Sequence, residues 1–296
     1  MRRISLLLFV VAIFISSIAL GQLKKRVAVS RFEDRTGSGY NHIGSGVADM
    51  LTTALVKTGK FNLIERQELD KVLDEQKLGA SGLVTAESAP KVGKLLGVEL
   101  LVIGSISEFG KSESKISGGF SLIGGGIKHT NARAVVDIRL VNTVTGEIVA
   151  AEKEEGEESS TGLAVRYEDI DFDNTSSWDN TDIGKACRKA VDGCVDLIVK
   201  NMAKIPFSGK ILKVNADGTL LMKPGSESGV SVGQEFDIFR LGEPIKDPDT
   251  GLELGAEETK VGHIKVTEDI LKGKASKAQI VSGTNLQAND IVHEVK

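Results

Sequence analysis

The sequence has few of the residues that usually carry covalent catalysis or bind transition metals. Among its 296 residues there are two cysteines and four histidines, His42, His129, His263 and His293. None of the histidines belongs to a His-Glu-x-x-His motif, and no Gly-x-Ser-x-Gly elbow occurs. Glu33 and Asp34 are adjacent, but neighbours on an extended chain point to opposite sides, which favours a solvated turn over an acid–base pair. We therefore expect a non-enzymatic protein without catalytic residues, cofactor or metal site.

The two cysteines do not predict a disulfide. Cys187 and Cys194 lie seven residues apart on a predicted helix, which separates their Cα atoms by roughly 10 Å at the rise of an α-helix. This spacing favours two small buried residues. An intermolecular bridge and a metal pair remain open as alternatives.

Signals for nucleic acid, nucleotide and calcium are absent or incomplete. Without the first 21 residues the chain has 35 basic and 41 acidic residues, a net charge of −6, which does not suggest nucleic acid. Gly37-x-Gly39 lacks the third glycine of a dinucleotide loop, and no Gly-Lys-Ser/Thr closes a phosphate loop. The segment from Asp169 to Asp173 begins like a calcium loop, but Asn174 stands where that loop needs glycine, so a solvated acidic loop is favoured.

The only long apolar run is at the N-terminus. Arg2 and Arg3 precede the apolar segment from Ile4 to Leu20, which ends in small residues. This order is typical of a secretory signal peptide over residues 1–21, with the mature chain starting near Gln22. A transmembrane anchor is the alternative.

The segment from Phe61 to Leu78, FNLIERQELDKVLDEQKL, changes its hydrophobic period. Phe61, Leu63 and Ile64 predict a strand, and the apolar spacing after Glu65 predicts a helix with one buried face. Strand and helix patterns alternate around it. Strands are predicted over Val27 to Phe32 and Leu100 to Ile106, and helices over Val47 to Leu55, Ala86 to Leu96 and Asp182 to Ala203. The fold class is therefore α+β, with a mixed sheet flanked by helices.

The chain resembles the CsgG family of curli secretion channels in five ordered segments: FEDRTG (32–37), LTTAL (51–55), the segment from Phe61 to Leu78, IGSI (103–106) and VNTVTGEI (141–148). The resemblance implies the family fold over about Lys25 to Ala203 and assembly into a ring. It also assigns Tyr40 and Asn41 to a loop that lines the channel constriction in the family, although a surface loop is an equally good interpretation. The family channel is usually anchored through a cysteine at the mature N-terminus, and no cysteine follows the signal sequence here.

Two segments correspond to hairpins that enter the membrane in the family channel, residues 107–131 and 146–182. Ala132 to Leu140 alternates as a membrane strand would, but so does any half-buried strand. The acidic segment after Ala151 carries charge on both faces, which is costly against lipid. Hairpins outside the membrane are therefore favoured.

Six short strands are predicted after Pro206 and Gly209, which mark a boundary between a domain at 22–205 and a second domain at 206–296. The segments GSESGVSVGQEFDIFR (225–240) and GEPIKDPDTGLELG (242–255) resemble the SH3-like C-terminal domain that is attached to some CsgG-family members and to the flagellar assembly protein FlgT. A small all-β barrel is predicted, and such modules usually bind partners.

The predicted function is a non-enzymatic cell-envelope protein that forms a periplasmic ring or scaffold for secretion or assembly of a surface structure. Its expected partners are copies of itself and other envelope proteins or secreted cargo, with possible association with the outer membrane and no nucleic acid. Two alternatives remain open. One is an outer-membrane pore, and the other is a monomeric binding module similar to the penicillin-binding-protein activator LpoB or a flagellar accessory protein.

Overall fold

The computed structural model describes residues 23–40, 42–75, 89, 95–116, 127–143, 146–162, 180–246, 248 and 253–295. The predicted calcium-like segment and most of the predicted helix from Ala86 to Leu96 lie outside these residues. The first part of the chain contains β1 (Lys25–Val29), β2 (Glu33–Asp34), α1 (Ile43–Thr58), β3 (Phe61–Ile64), α2 (Arg66–Glu75), β4 (Leu100–Ile116), β5 (Ile127–Asn142), β6 (Ile148–Gly162) and α3 (Asp182–Met202).

These strands form one mixed sheet in the order β3-β1-β4-β5-β6, and β2 pairs with β4 beside β1. β1 is parallel to both β3 and β4, whereas β4, β5 and β6 are antiparallel. The predicted mixed sheet is thus confirmed. The strand predicted from Val27 to Phe32 ends at Val29, because the chain leaves β1 so that Phe32 can pack into the core.

α1 and α3 cover one face of the sheet, where they enclose the larger core. α1 ends at Gly59, which adopts the left-handed conformation (φ 66°) that glycine permits at a helix end. α3 begins after Thr181, whose side-chain oxygen accepts a hydrogen bond from the Gly184 amide at 3.1 Å. The buried side chains include Val27, Val29, Phe32, Leu51, Leu55, Leu100, Val102, Ile138, Ala190 and Ile198.

The opposite face near β1 has a smaller core. Leu69 of α2 is fully buried there against Ala28, Leu101, Ile103 and Val141. Because β4 is covered on both faces at this level, Leu100 to Ile103 are all apolar.

Where β5 and β6 extend past the smaller core, they pack against α3. Gly156 of β6 is buried, and a Cβ there would collide with the backbone at Ala186 and Ala190 of the helix. Ala132 and Ala134 of β5 are also buried in this contact. Small residues therefore let α3 lie directly on the hairpin. Within the described residues, no helix has the length and apolar character needed to cross a membrane.

The second part of the chain is a closed six-stranded barrel in the order β10-β11-β8-β7-β12-β9, as predicted. Its core includes Phe207, Ile211, Met222, Phe236, Ile264 and Val292. β9 and β10 are longer than predicted, because they continue as a two-stranded arm past the barrel. The strands are β7 (Ser208–Val214), β8 (Thr219–Lys223), β9 (Glu235–Lys246), β10 (Glu253–Ile270), β11 (Ala275–Gly283) and β12 (Ile291–Glu294).

Candidate functional site

The loop after β2 is positioned by Phe32. The Phe32 side chain is buried, and its ring lies against Gly104 of β4, where a Cβ would be 2.7 Å from ring carbons. Gly44, in the first turn of α1, lies against the Phe32 carbonyl, where a Cβ would also collide. Residues of the FEDRTG and IGSI segments thus pack against each other, and they fix where the loop starts and where α1 begins.

Polar side chains within this loop bind to the loop itself. Arg35 donates from Nε to Glu33 Oε2 at 2.8 Å, and this contact raises the pKa of the Arg35 guanidinium. Asp34 Oδ1 accepts from the Thr36 amide at 2.9 Å and from its hydroxyl at 2.7 Å, which is the geometry of an Asx turn. Glu33 and Asp34 themselves form the short strand β2, which pairs with Ser105 and Ile106 of β4, so a strand stands where a solvated turn was expected. Their side chains instead hold the turn that follows the strand.

The predicted constriction residues fall at the end of the loop. Tyr40 is half-buried and packs its ring edge-on against Phe109 of β4, with centroids 5.5 Å apart and an interplanar angle of 78°. Asn41 lies outside the described residues. The role of Tyr40 and Asn41 in a constriction stays a prediction, and in this structure Tyr40 connects the loop to the hairpin.

A shallow groove of about 610 Å³ lies between this loop and the hairpin strands. Thr36 contributes from the loop, and the remaining lining comes from β4, β5 and β6. The lining residues are Thr36, Ser107, Glu108, Phe109, Gly110, Lys111, Ser112, Asn131, Ala132, Arg133, Glu157 and Ser159.

Arg133 is at the centre of the charges in and beside the groove. Its guanidinium contacts Glu108 at 3.1 Å, Glu155 at 2.8 Å and Glu157 at 3.3 Å, and Lys153 lies 3.8 Å from Glu108. The side chains are roughly half exposed, so each pair contributes about 0–1 kcal/mol. We call Glu108, Arg133, Lys153, Glu155 and Glu157 the hairpin charge cluster. This cluster was not predicted from the sequence. The available signals were the alternation of charged and apolar residues around Arg133 in β5 and the acidic segment of β6.

The possible metal ligands and the thiols of the described residues are not gathered at the groove. The described residues contain no group of three or more His, Cys, Asp or Glu that could hold a metal ion. Cys187 and Cys194 are buried in α3 and form no disulfide with each other, and burial raises the pKa of the Cys194 thiol above its ordinary value. A raised thiol pKa disfavours the reactive thiolate.

None of the four histidines lines the groove, and three of them contact a nearby polar group. His263 Nδ1 lies 2.7 Å from Asp237 Oδ1 on the outside of the barrel, and His293 Nδ1 lies 2.9 Å from the Phe207 carbonyl. His129 contacts the Thr161 hydroxyl at 3.2 Å. His42 is exposed in a left-handed conformation just before α1.

Comparisons with known proteins identify relatives of the chain. The "Putative lipoprotein NMB1126/NMB1164" of Neisseria meningitidis serogroup B (strain ATCC BAA-335 / MC58) is 29% identical over 181 residues, which cover 59% of this chain and 74% of the relative.

Two solved structures show weaker likenesses. Lipoprotein GNA1162 from Neisseria meningitidis is 13% identical with a TM-score of 0.35, covering 61% of this chain and 99% of that one. The C-terminal domain of LpoB from Escherichia coli is 18% identical with a TM-score of 0.31, covering 49% of this chain and 85% of that one. At these scores the two likenesses support no statement about this chain.

The family comparison covers most of the chain. The model described as "Curli production assembly/transport component CsgG" matches residues 12–216. The match includes every element of the mixed sheet, the loop after β2 and the groove. The chain therefore belongs to the CsgG family and is a cell-envelope protein.

Proposed function

We propose that this protein is a non-enzymatic periplasmic scaffold whose copies assemble into a ring that supports secretion or assembly of a surface structure. The observation that carries the proposal is the surface made by the loop after β2, the groove and the hairpin charge cluster. Most of the residues that line this surface are polar or charged, α3 backs it through Gly156, and its ionised groups face one another across neighbouring strands. Such a surface offers directional contacts to another protein.

The outer strand of the sheet supports contact between copies. β6 ends the sheet and pairs only with β5 among the described strands. Its exposed glutamates, Glu152, Glu155 and Glu157, oppose indiscriminate pairing at such an edge while allowing a complementary partner. A neighbouring copy would meet β6 and the groove together.

The same surface argues for a position outside the lipid. One face of the β5–β6 hairpin is packed under α3, and the other carries Arg133, Glu155 and Glu157. A strand in the outer membrane needs an apolar face toward lipid. The described hairpin residues have no such free apolar face, which favours the scaffold over the pore.

The mass of the mature protein in solution tests the proposal. Residues 22–296 would be measured by light scattering at micromolar concentration, in buffer and in mild detergent. A closed oligomer of one size in buffer is expected, and a monomer under both conditions would overturn the ring. Glu157→Lys is expected to weaken the oligomer because it places a cation beside Arg133. Glu268→Lys makes the same change at an exposed position of the barrel and is expected to leave the mass unchanged.

A further inference from the structure

The contact between the mixed sheet and the barrel is built around one buried carboxyl group. Glu99, the residue before β4, is only 6% exposed. Its Oε2 accepts the Arg26 amide of β1 at 2.6 Å, and its Oε1 accepts the Ser208 amide at the start of β7 at 2.9 Å. One side chain therefore holds the backbone of both parts of the protein.

Other contacts surround this link without replacing it. The Lys25 ammonium donates to the Met202 carbonyl at the end of α3 at 2.6 Å. The Lys24 amide donates to the Ser228 carbonyl at 2.7 Å, and Asn62 Nδ2 donates to the Ser228 hydroxyl at 2.5 Å. These bonds connect the chain at β1 and β3 with α3 and the barrel. The carboxyl group of Glu99 lies among them and is largely shielded from water.

The charges near Glu99 come from both parts. Lys25 and Arg26 of β1 favour its ionised form, and Glu294 of β12 acts on Lys25. Burial outweighs these cations and the two amides and raises the pKa of Glu99 to about 7. Burial likewise lowers the pKa of both Lys25 and Arg26. The surroundings are thus too dry to solvate the charges fully.

The direction of the pH effect follows from comparing the closed contact with an open one. If the contact opens, Glu99 meets water and its pKa returns toward the ordinary glutamate value of 4.5. The closed form then binds the proton more tightly than the open form. Closure is therefore favoured most below about pH 4.5, and this advantage is lost as the pH rises toward 7.

We propose that Glu99 makes the link between the mixed sheet and the barrel sensitive to pH, so that ionisation of this carboxyl group loosens the contact at Ser208. The neutral group sits in the dry contact without the cost of burying a charge. The ionised group gains by reaching water, and the barrel then moves more freely relative to the sheet. This inference goes beyond the scaffold role and does not depend on ring formation.

Amide hydrogen exchange of the mature protein at pH 5 and pH 8 tests this link, with each rate corrected for the intrinsic effect of pH. Protection of the Ser208 amide is expected to be on the order of 10- to 100-fold higher at pH 5. The Ile211 amide is the internal reference, because it lies in the same strand but donates to the Asp290 carbonyl at 2.9 Å and reports unfolding of the barrel itself. At pH 8 Ser208 is expected to be less protected than Ile211, since the link opens while the barrel stays folded. Equal protection of Ser208 at both pH values, or equal protection of Ser208 and Ile211 at pH 8, would overturn the proposal.

Two further measurements separate the carboxyl group from other causes. In Glu99→Gln the pH dependence at Ser208 is expected to disappear, and its persistence would contradict the role of Glu99. Carbon-13 NMR of the Glu99 carboxyl in the wild-type protein needs no variant. A titration midpoint near 7 is expected, whereas a midpoint near 4.5 would exclude the mechanism.

Discussion

The ring of Phe32 rests on Gly104 with no room for a side chain between them. A Cβ at position 104 would lie 2.7 Å from the nearest ring carbons. This contact joins the segment after β1 to the centre of β4, so it determines the path of the loop that borders the groove. The glycine of IGSI is needed for packing at this point.

Gly104→Ala is therefore expected to lower the free energy of unfolding by about 2 kcal/mol, because the buried ring has to shift within a packed core. Urea unfolding would measure the change. Gly110→Ala is the matched control in the same strand, since nothing lies within 4 Å of a Cβ there. Its effect should stay within about 0.5 kcal/mol. Equal losses in the two variants would show that the Phe32 contact is not the cause.

Much of the fold could be predicted from local pattern. Leu100 to Ile103 are apolar because α1 and α2 lie on opposite sides of β4, and an unbroken apolar run indicates such burial. The end of α1 at Gly59 and the turn at Asp217-Gly218 follow from backbone preferences of single residues. These signals need no knowledge of distant contacts.

The candidate site was less predictable because its contacts depend on register between distant segments. Arg133 meets Glu157 only because the two lie opposite each other across β5 and β6. Tyr40 packs on Phe109 far along the chain, and Glu99 acquires its role only when Ser208 of the barrel docks on it. A one-residue shift in register would place the charge cluster on the other face.

Asp290 holds the last turn of the barrel, and its replacement should weaken the whole barrel. It is only 4% exposed and accepts Arg240 Nε at 2.9 Å and Nη2 at 2.8 Å, as well as the Gln287 amide at 2.8 Å. Asp290→Asn keeps the shape of the side chain but replaces one acceptor oxygen with an NH₂ donor. That donor would face the N–H groups of Arg240 and Gln287. We expect a loss of about 2 kcal/mol in urea unfolding. The exposed Glu268→Gln should change stability by less than about 0.5 kcal/mol, and a similar loss there would refute this explanation.

Ser276 is a buried hydroxyl whose removal should not harm the protein. It is 1% exposed, and within the described part of the chain its Oγ has no hydrogen-bond partner. Ser276→Ala is expected to leave stability unchanged or raise it by about 1 kcal/mol, because an unpaired buried hydroxyl is costly. Ser228→Ala is the comparison, since the Ser228 hydroxyl is buried but accepts from Asn62. Its loss should cost about 1 kcal/mol. If Ser276→Ala cost as much as Ser228→Ala, the Ser276 hydroxyl would have a partner in solution.

Global stability should fall as the pH rises from 5 to 8. Glu99 has a pKa of about 7 in the folded protein against 4.5 for the unperturbed group, so the folded state binds more protons across this range. Burial also raises the pKa values of Asp49 and Glu154, so the contribution of Glu99 is the difference between the pH profiles of the wild type and Glu99→Gln. That contribution is expected to be at most about 3 kcal/mol, which follows from the difference between the folded and unfolded pKa values of Glu99. Urea unfolding at several pH values would measure it, and a flat profile identical in wild type and Glu99→Gln would contradict it.

The positive charge of Lys25 should lower the pH at which Glu99 titrates. The ammonium is partly buried, and its charge lowers the pKa of Glu99 against the opposing effect of burial. Lys25→Met keeps an apolar stem of similar length but removes the charge, so the Glu99 midpoint should rise by roughly 0.5 to 1 on the pH scale. The same carbon-13 titration would detect this change. Lys24→Met is the matched control, because Lys24 contacts the barrel through its backbone amide, and the midpoint in this variant should stay at the wild-type value. A midpoint that falls in Lys25→Met, or moves equally in Lys24→Met, would mean that the charge of Lys25 does not act on Glu99.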